Sequence, residues 1–486
     1  MLEFIKDHLW GVLIFINYGI AISVALVILF KNLNPTKTLS YIIVLVFLPF
    51  LGVVIYYFFG QEYRKNKIFN RKYIYNKKKI KEINEELKLN PHQKQKLKEV
   101  LDEKVKLVKL LYHNQNSPLT LHNNLKILVN GEEKFKYLMA DLKKAENHIH
   151  FEYYILKDDT TGTQILDILC DKAKAGVEVR VSYDGVGSSI SSRMLKKMKQ
   201  SGVKSYPFMP VFFPRFTSKM NYRNHRKIAI IDGKIGYVGG LNISDNYNNA
   251  VKRKNKPFWR DTHLRMEGEA VKSLQIHFLM TWDFVSNEKF KVTKTYFPET
   301  SIENEAPVQI AASGPDTDWA NIMEAIFTAI LTAESYVYIT TPYFIPNDEI
   351  LSALQVASKS GVEVKLLIPK ESDSWTAKYA TDSYLEPLLE AGVQVYRYTK
   401  GFIHAKTIVV DDLFSTIGTS NIDYRSFSIN FEINALIYNQ KESKQLKKIF
   451  EDDLKDSEKV TLNKWQARPK IDLLKESFCR LWSPLL

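Results

Sequence analysis

Two short segments of the chain carry the same side chains at the same spacing. The first reads His225-Arg226-Lys227-Ile228-Ala229-Ile230-Ile231-Asp232, followed by Gly239-Gly240-Leu241-Asn242. The second reads His404-Ala405-Lys406-Thr407-Ile408-Val409-Val410-Asp411, followed by Gly418-Thr419-Ser420-Asn421. Each lysine precedes a β-branched run, which favours a strand. Residues i and i+2 share one face of a strand, so His225 projects with Lys227 and His404 with Lys406. Asp232-Gly233 reads as a turn, so each segment is expected to open a hairpin.

This set suits displacement at a phosphodiester. Such a group is anionic and resists attack, and two lysines can neutralise its non-bridging oxygens and the charge added in the transition state. A neutral imidazole is a competent nucleophile at phosphorus. A second imidazole, protonated, can donate to the leaving alkoxide and then act as base on the acceptor. Asn242 and Asn421 can donate amide hydrogens to the phosphate, and Asp232 and Asp411 complete the candidate catalytic set. No metal or cofactor is called for, since the cations are already protein groups. A lone His-x-Lys on a strand is usually surface decoration. Two copies, equally spaced from Asp and Asn, are poorly explained that way.

The motifs sit inside a longer duplication. Ala145-Glu146 leads into NHIHFEYYILKDD, a helical stretch and Ala175-Gly176-Val177-Glu178-Val179-Arg180; Ala333-Glu334 leads into SYVYITTPYFIPND, a helical stretch and Ser360-Gly361-Val362-Glu363-Val364-Lys365. Upstream, LKILVNG (Leu125 to Gly131) matches VQIAASG (Val308 to Gly314). Alternating strands and helices in each half predict an α/β fold, two duplicated domains with a mixed sheet flanked by helices. The halves are expected at 121–302 and 303–486, each an ordinary domain of about 180 residues.

Ahead of them lies a different composition. Trp10 to Phe30 and Leu39 to Phe59 are nearly unbroken apolar runs. Each is about as long as the roughly 20 residues that cross a bilayer as a helix. Residues 1–60 are therefore expected to form a transmembrane hairpin, with Pro49 tolerable inside its second helix. Glu3 and Asp7 argue against a signal peptide. A basic stretch follows, from Arg64, Lys65 and Lys67 through Arg71 and Lys72 to Lys77, Lys78, Lys79 and Lys81. The positive-inside rule places it, and the rest of the chain, in the cytoplasm. Residues 61–120 are expected as a basic juxtamembrane and helical connector. Within them Leu97, Val100, Leu101, Val105, Val108 and Leu111 fall at helical spacing.

The formal charge of +14 asks for an anionic partner, nucleic acid or an acidic membrane. Much of the excess lies next to the apolar runs, which favours anionic lipid and not nucleic acid. Cys170 and Cys479 have neither disulfide-framework nor zinc-site spacing.

The paired motifs resemble those of the phospholipase D superfamily. With GGLNISDNY after the first, GTSNIDYRSF after the second and RLWSPLL at the end, the chain is similar to bacterial cardiolipin synthases over about residues 120–486, and its apolar N-terminus agrees. The resemblance implies a bacterial cell-membrane enzyme without a cofactor. It would convert two phosphatidylglycerols into cardiolipin and glycerol through a phosphohistidine. A phospholipase D-type hydrolase, or a transferase using another alcohol, is the alternative. By the same resemblance His225 would be the nucleophile and His404 the acid/base; the residues themselves are symmetric on this point. Asp261 and Glu432 occupy equivalent positions in the two halves, and in the superfamily an acidic residue there orients a catalytic histidine. Two aromatic stretches, Tyr206 to Phe216 and Phe478 to Leu486, either pack internally, dip into the bilayer or line an acyl groove.

Overall fold

The computed structural model describes residues 9–30, 35–59, 77–209, 222–252, 256–286, 288 and 292–486. The basic run from Arg64 to Lys72 and the aromatic stretch beyond Met209 lie outside the described residues. The chain divides into an N-terminal unit within residues 1–63 and a large unit that holds the rest of the described chain.

In the N-terminal unit, Leu9–Phe30 is one continuous helix, and among the described residues it alone is long and apolar enough to cross a membrane. The second apolar run departs from expectation. It forms two helices, Pro35–Phe47 and Pro49–Phe59. Proline has no N–H to continue the ladder, and its ring clashes with the preceding turn, so the helix breaks. The break is a sharp reversal. Tyr41 and Tyr56, on opposite arms, meet edge to face with ring centres 5.6 Å apart. A Cβ on Gly52 would lie 2.8 Å from the Cα of Leu45, so only glycine lets the arms approach this closely. Arms of 13 and 11 residues reach about 20 Å or less at 1.5 Å per residue.

The connector is also broken. Pro91–Leu101 and Val105–Gln115 are separate helices, because Asp102 takes a positive φ of 46°. Leu97, Leu101 and Leu111 are buried in the core of the second half, whereas Val100 is exposed.

Among the described residues the large unit has 19 strands, 15 in one mixed sheet and four in two short parallel pairs. The first half contributes β1 (Leu119–Val129), β2 (His148–Tyr153), β3 (Glu178–Asp184), β4 (Lys204–Phe208), β5 (Lys227–Ile231), β6 (Ile235–Gly239), β7 (Phe258–Arg260) and β8 (Thr262–Gly268). The second contributes β9 (Glu305–Ser313), β10 (Tyr336–Thr340), β11 (Phe344–Ile345), β12 (Glu363–Pro369), β13 (Gln394–Tyr398), β14 (Gly401–Ile403), β15 (Thr407–Val410), β16 (Phe414–Gly418), β17 (Ile422–Asp423), β18 (Glu432–Ile437) and β19 (Ser457–Val460). Outward from the centre, one side runs β1-β8-β6-β5-β2-β3-β4 and the other β9-β18-β16-β15-β10-β12-β13-β19. The first seven strands on each side match in order, with β19 added at the edge of the second, so the duplication is a duplication of topology. β1 and β9 pair antiparallel at the centre, Thr120 opposite Val308, and join the halves into one sheet. β4 holds Tyr206 and Phe208 at the sheet edge, where Pro207 is tolerated. Phe208 is buried against Phe284 and Phe431.

Both motif segments open hairpins, β5–β6 and β15–β16. Asp232 and Gly233 have φ of 55° and 64°, and Asp411 and Asp412 have 52° and 54°. Two successive positive φ values give the turn whose twist matches the strands. Asp232 accepts from the backbone N–H groups of Glu146, Asn147 and His148 at 2.7–2.9 Å. Asp411 does the same for Glu334, Ser335 and Tyr336 at 2.8–3.0 Å and adds an ion pair to Lys104 at 2.8 Å. The expected grouping of these aspartates with the histidines is thereby corrected. They sit at the far end of β5 and β15, roughly 20 Å from the histidines at about 3.3 Å per residue. There they clamp the loop that enters β2 or β10.

Asp232→Ala should therefore destabilise the fold by about 2–3 kcal/mol, the scale for hydrogen bonds to a charged acceptor. Asp232→Asn keeps an acceptor and tolerates positive φ, and should cost less than half of that. Thermal melts of the detergent-solubilised chain would show it; equal melting of D232A and wild type would refute the clamp.

Candidate active site

The functional side chains stand where the two halves meet. The segment before His404, β14, pairs in parallel with the segment before Asp261, β7: Phe402 lies opposite Trp259 and Ile403 opposite Arg260. The same relation recurs on the other side, where Asn224 bridges Phe431. Each histidine is hung by its own N–H from the residue that precedes a carboxylate of the opposite half. His404 donates to the Arg260 carbonyl at 2.7 Å, and His225 to the Phe431 carbonyl at 3.0 Å.

That backbone register brings the side chains together. His225 Nδ1 lies 2.9 and 3.0 Å from the two carboxylate oxygens of Glu432. His404 Nδ1 lies 2.8 Å from Asp261 Oδ2. Both carboxylates are fully buried, and both histidines are nearly so. A carboxylate on Nδ1 fixes the tautomer with the proton on that nitrogen, and Nε2 is left as the reactive atom. The two acidic candidates thus each orient the histidine of the other half.

The lysines lie beside them. Lys227 Nζ donates to the His225 carbonyl and Lys406 Nζ to the His404 carbonyl, each at 2.6 Å. One N–H of each ammonium is used, and two remain. Burial pushes Lys227 down to about 7, against the pull of Glu432 and helped by Lys406. Burial pushes Lys406 down to about 8, against Asp261 and Glu432. That each lysine feels carboxylates of both halves places all four charges in one site. Burial also lowers both histidines. His225 is held below its usual range against Glu432, with Lys227 and Lys406 adding to the shift. His404 falls to about 3, with Lys406 assisting and Asp261 opposing. Burial alone would raise Glu432, but His225, Lys227 and the Thr419 hydroxyl outweigh it and hold the carboxyl low.

Asn242 and Asn421 lie in the loops after β6 and β16. Asn242 accepts from the Ile155 N–H at 3.0 Å and donates to the Tyr247 hydroxyl at 3.0 Å. Asn421 donates to Asp423 at 2.9 Å. Each amide spends one N–H inside the protein and keeps a second.

Several neighbours were not singled out from the sequence. Tyr154 packs edge to face on His225 at 4.9 Å, and the Lys227 ammonium lies 5.3 Å from its centre. Trp259 and Phe402 flank His404 at 5.1 and 5.9 Å. A signal existed for this last pair. Trp259 is two residues before Asp261 and Phe402 two before His404, so strand periodicity puts each on the same face as the functional group. The Thr419 hydroxyl donates to Glu432, and Asn430 Nδ2 donates to it at 3.3 Å.

A duplicated half-site with crossed His–carboxylate pairs and two buried lysines defines a phospholipase D-like phosphoryl-transfer centre. The cardiolipin synthase, PLD-like domain family matches residues 138–261 and again 326–454, and the phospholipase D-nuclease N-terminal family matches 19–61. A cardiolipin synthase of Halalkalibacterium halodurans is 42% identical over 467 residues, covering 96% of this chain and 92% of that protein. Cardiolipin synthase 2 of Bacillus anthracis is 42% identical over 474 residues, covering 96% and 90%. The phosphatidylserine synthase crystal structure from Haemophilus influenzae shares the fold, with a TM-score of 0.60 at 14% identity over 78% of this chain and 100% of that one. The chain belongs to the cardiolipin synthase family, the phospholipase D-type phosphatidyltransferases.

The first half admits its carboxylate only because residue 240 is glycine. A Cβ there would sit 2.1 Å from Asp261 Oδ1. Gly240→Ala should displace Asp261, misalign His404 and lower phosphatidyl transfer by about a hundredfold. An alanine variant with wild-type turnover would show that Asp261 does not set the His404 geometry.

Proposed function

We propose that the chain moves a phosphatidyl group from one phosphatidylglycerol to the hydroxyl of a second, giving cardiolipin and glycerol. The observation that carries this reading is the convergence of two oriented histidines and two buried lysines on one site, in a chain of this family. His225 Nε2 attacks phosphorus, the bond to the glycerol oxygen breaks, and His404 Nε2–H supplies the proton that glycerol takes with it. The terminal hydroxyl of the second phosphatidylglycerol then attacks the phosphohistidine. His404 removes its proton, and the phosphorus–nitrogen bond breaks. His225 is assigned the nucleophilic role on the family's pattern. Lys227 and Lys406 neutralise the non-bridging oxygens, and the spare N–H groups of Asn242 and Asn421 are within the set that can assist them.

Protonation of His404 follows from electrostatics. In the free site two lysine cations balance Asp261 and Glu432, and a proton on either imidazole would add unpaired charge to a buried site. A phosphodiester brings one negative charge and offsets the lysines that repel that proton, so substrate entry itself raises the imidazole pKa.

The halves are read as 121–302 and 303–486, behind a membrane-anchoring N-terminal unit. We take both apolar runs as membrane-embedded, the second bent at Pro49. Broken helices of this kind are tolerated where backbone groups find partners within protein. The cations from Arg64 to Lys81 support the reading that the catalytic unit lies on the cytoplasmic side of a bacterial membrane.

Purified enzyme in phosphatidylglycerol vesicles should yield cardiolipin and free glycerol without added nucleotide. Phosphatidic acid as the main product would sink the transferase reading. His225→Ala and His404→Ala should each abolish turnover, and substantial activity in either would refute the two-histidine scheme.

The pH profile gives a separate test. Both lysines are depressed, so their charge is lost as pH rises through about 7 to 8. kcat/KM, which reports the free enzyme, should fall across that window. On the acid side it should persist below about 6.5, the ordinary imidazole value, because the neutral form of His225 survives there. A profile flat up to about pH 10, where free lysine titrates, would contradict the assigned role of the lysines.

A further inference from the structure

The last helix, Lys470–Arg480, has two unlike faces. On the inner one Glu476 is held by Arg468 at 2.9 Å, and Cys479 is buried in the core of the second half. The outer one carries Ile471, Leu474, Phe478 and, just past the helix end, Leu481 and Trp482, all exposed. Their spacings of three and four place them along one side of the helix. A helix at a soluble surface normally turns polar residues outward. Here Leu474 is 65% exposed and Leu481 76%. Trp375 extends the face at 56% exposure. It opens the neighbouring helix Trp375–Asp382 and packs on Tyr379, whose hydroxyl receives Lys475 from the last helix at 3.2 Å. An exposed apolar patch of this size marks an interaction site.

Two features point to the occupant. The first is chemical. Tryptophan and phenylalanine are interspersed with the exposed Lys470 and Arg480, while the helix's two acids are a half-buried Asp472 paired with Lys475 at 3.0 Å and the buried Glu476. Interfacial aromatics flanked by cations match the headgroup boundary of an anionic bilayer. The second is position. Asp373, two residues before Trp375, accepts from the Tyr343 hydroxyl at 2.6 Å. Tyr343 in turn packs on Phe402 at 6.5 Å, and Phe402 flanks His404. At the other end of the patch the Leu486 carbonyl accepts from Arg425 N–H at 3.0 Å, in the helix that directly follows Asn421-Ile422-Asp423. The patch thus borders the second half of the active site. The loop after β3, equivalent to the one that leads into Trp375, likewise exposes an apolar residue, Val186.

We propose that the outer face of the last helix, with Trp375, is a bilayer-docking platform that seats the rim of the active site on an anionic membrane surface. It rests on the lipid-transfer reading above. It adds a second attachment, made by the catalytic unit itself, whose work is presenting lipid to His404 and His225.

The test uses the full chain with two substrates: phosphatidylglycerol in mixed phosphatidylglycerol/phosphatidylcholine vesicles, and short-chain phosphatidylglycerol below its micelle concentration. Leu474→Ser/Phe478→Ser/Leu481→Ser should lose about tenfold or more of its vesicle activity, as expected for removal of buried apolar anchors. On the dispersed substrate it should stay within about twofold of wild type, since the lost contacts are to membrane only. Brominated lipids should quench wild-type tryptophan fluorescence more than that of Trp375→Phe/Trp482→Phe. Equal loss on both substrates, no loss on either, or identical quenching would each overturn the platform. So would a variant that breaks up a detergent-solubilised oligomer while keeping vesicle activity, because the face would then belong to a second copy. A wild type unable to make cardiolipin from the dispersed substrate would defeat the transferase reading instead, and quenching would still decide the platform.

Discussion

Everything in the catalytic unit depends on a crossed pair of hydrogen bonds. Glu432 of the second half holds His225 of the first, and Asp261 of the first holds His404 of the second. Neither half contains a complete site. A buried carboxylate without its histidine would lose a hydrogen bond to a charged acceptor, which costs about 1.5–3 kcal/mol. A histidine without its carboxylate would have no fixed tautomer. The halves are therefore bound to one another by the same groups that the chemistry needs. The antiparallel seam of β1 and β9 sets the register, and the short parallel pairing of β7 with β14 carries it to the side chains.

This explains why the conspicuous motif divides its labour. The histidine and lysine lie at or just before the start of β5 or β15, where the two halves meet. The aspartate lies at the far end, in a turn where positive φ suits it, and clamps the loop into the neighbouring strand. One end of the motif does chemistry and the other fixes the strand that presents it. A spacing conserved between two copies is thus no proof that all its members meet. On a helix a gap of four would have brought them together, but on a strand a gap of seven holds them apart.

The readable part of the sequence was local. Period-two alternation placed His225 with Lys227 and His404 with Lys406, and the same rule would have found Trp259 and Phe402. The strand and helix alternation, repeated, was enough for an α/β duplication. What lay out of reach was tertiary. Nothing in a linear reading decides whether Asp261 serves its own half or the other, since that follows from a seam joining Thr120 to Val308 across nearly two hundred residues. The bend in the second apolar run was hidden for a different reason. Hydropathy measures length and polarity, and both were right for a span; the reversal comes from Pro49 acting with a glycine at 52 that lets the arms close.

The same geometry also breaks the symmetry that the motifs display. At equivalent positions the first half has Gly240 and the second Thr419. Glycine is required in the first because Asp261, the shorter acid, presses against that backbone. In the second, Glu432 reaches further and leaves room for a side chain, and the Thr419 hydroxyl and Asn430 amide both donate to it. Donors on a carboxylate draw off part of its negative charge, so it stabilises an imidazolium less than a carboxylate with fewer donors would. Yet His404, facing Asp261, is the histidine driven down to about 3. Burial and then the adjacent Lys406 cause this, and a phosphate between the two lysines offsets the second of them. The two halves are alike in fold and unlike around their buried carboxylates, a difference invisible in the paired motifs.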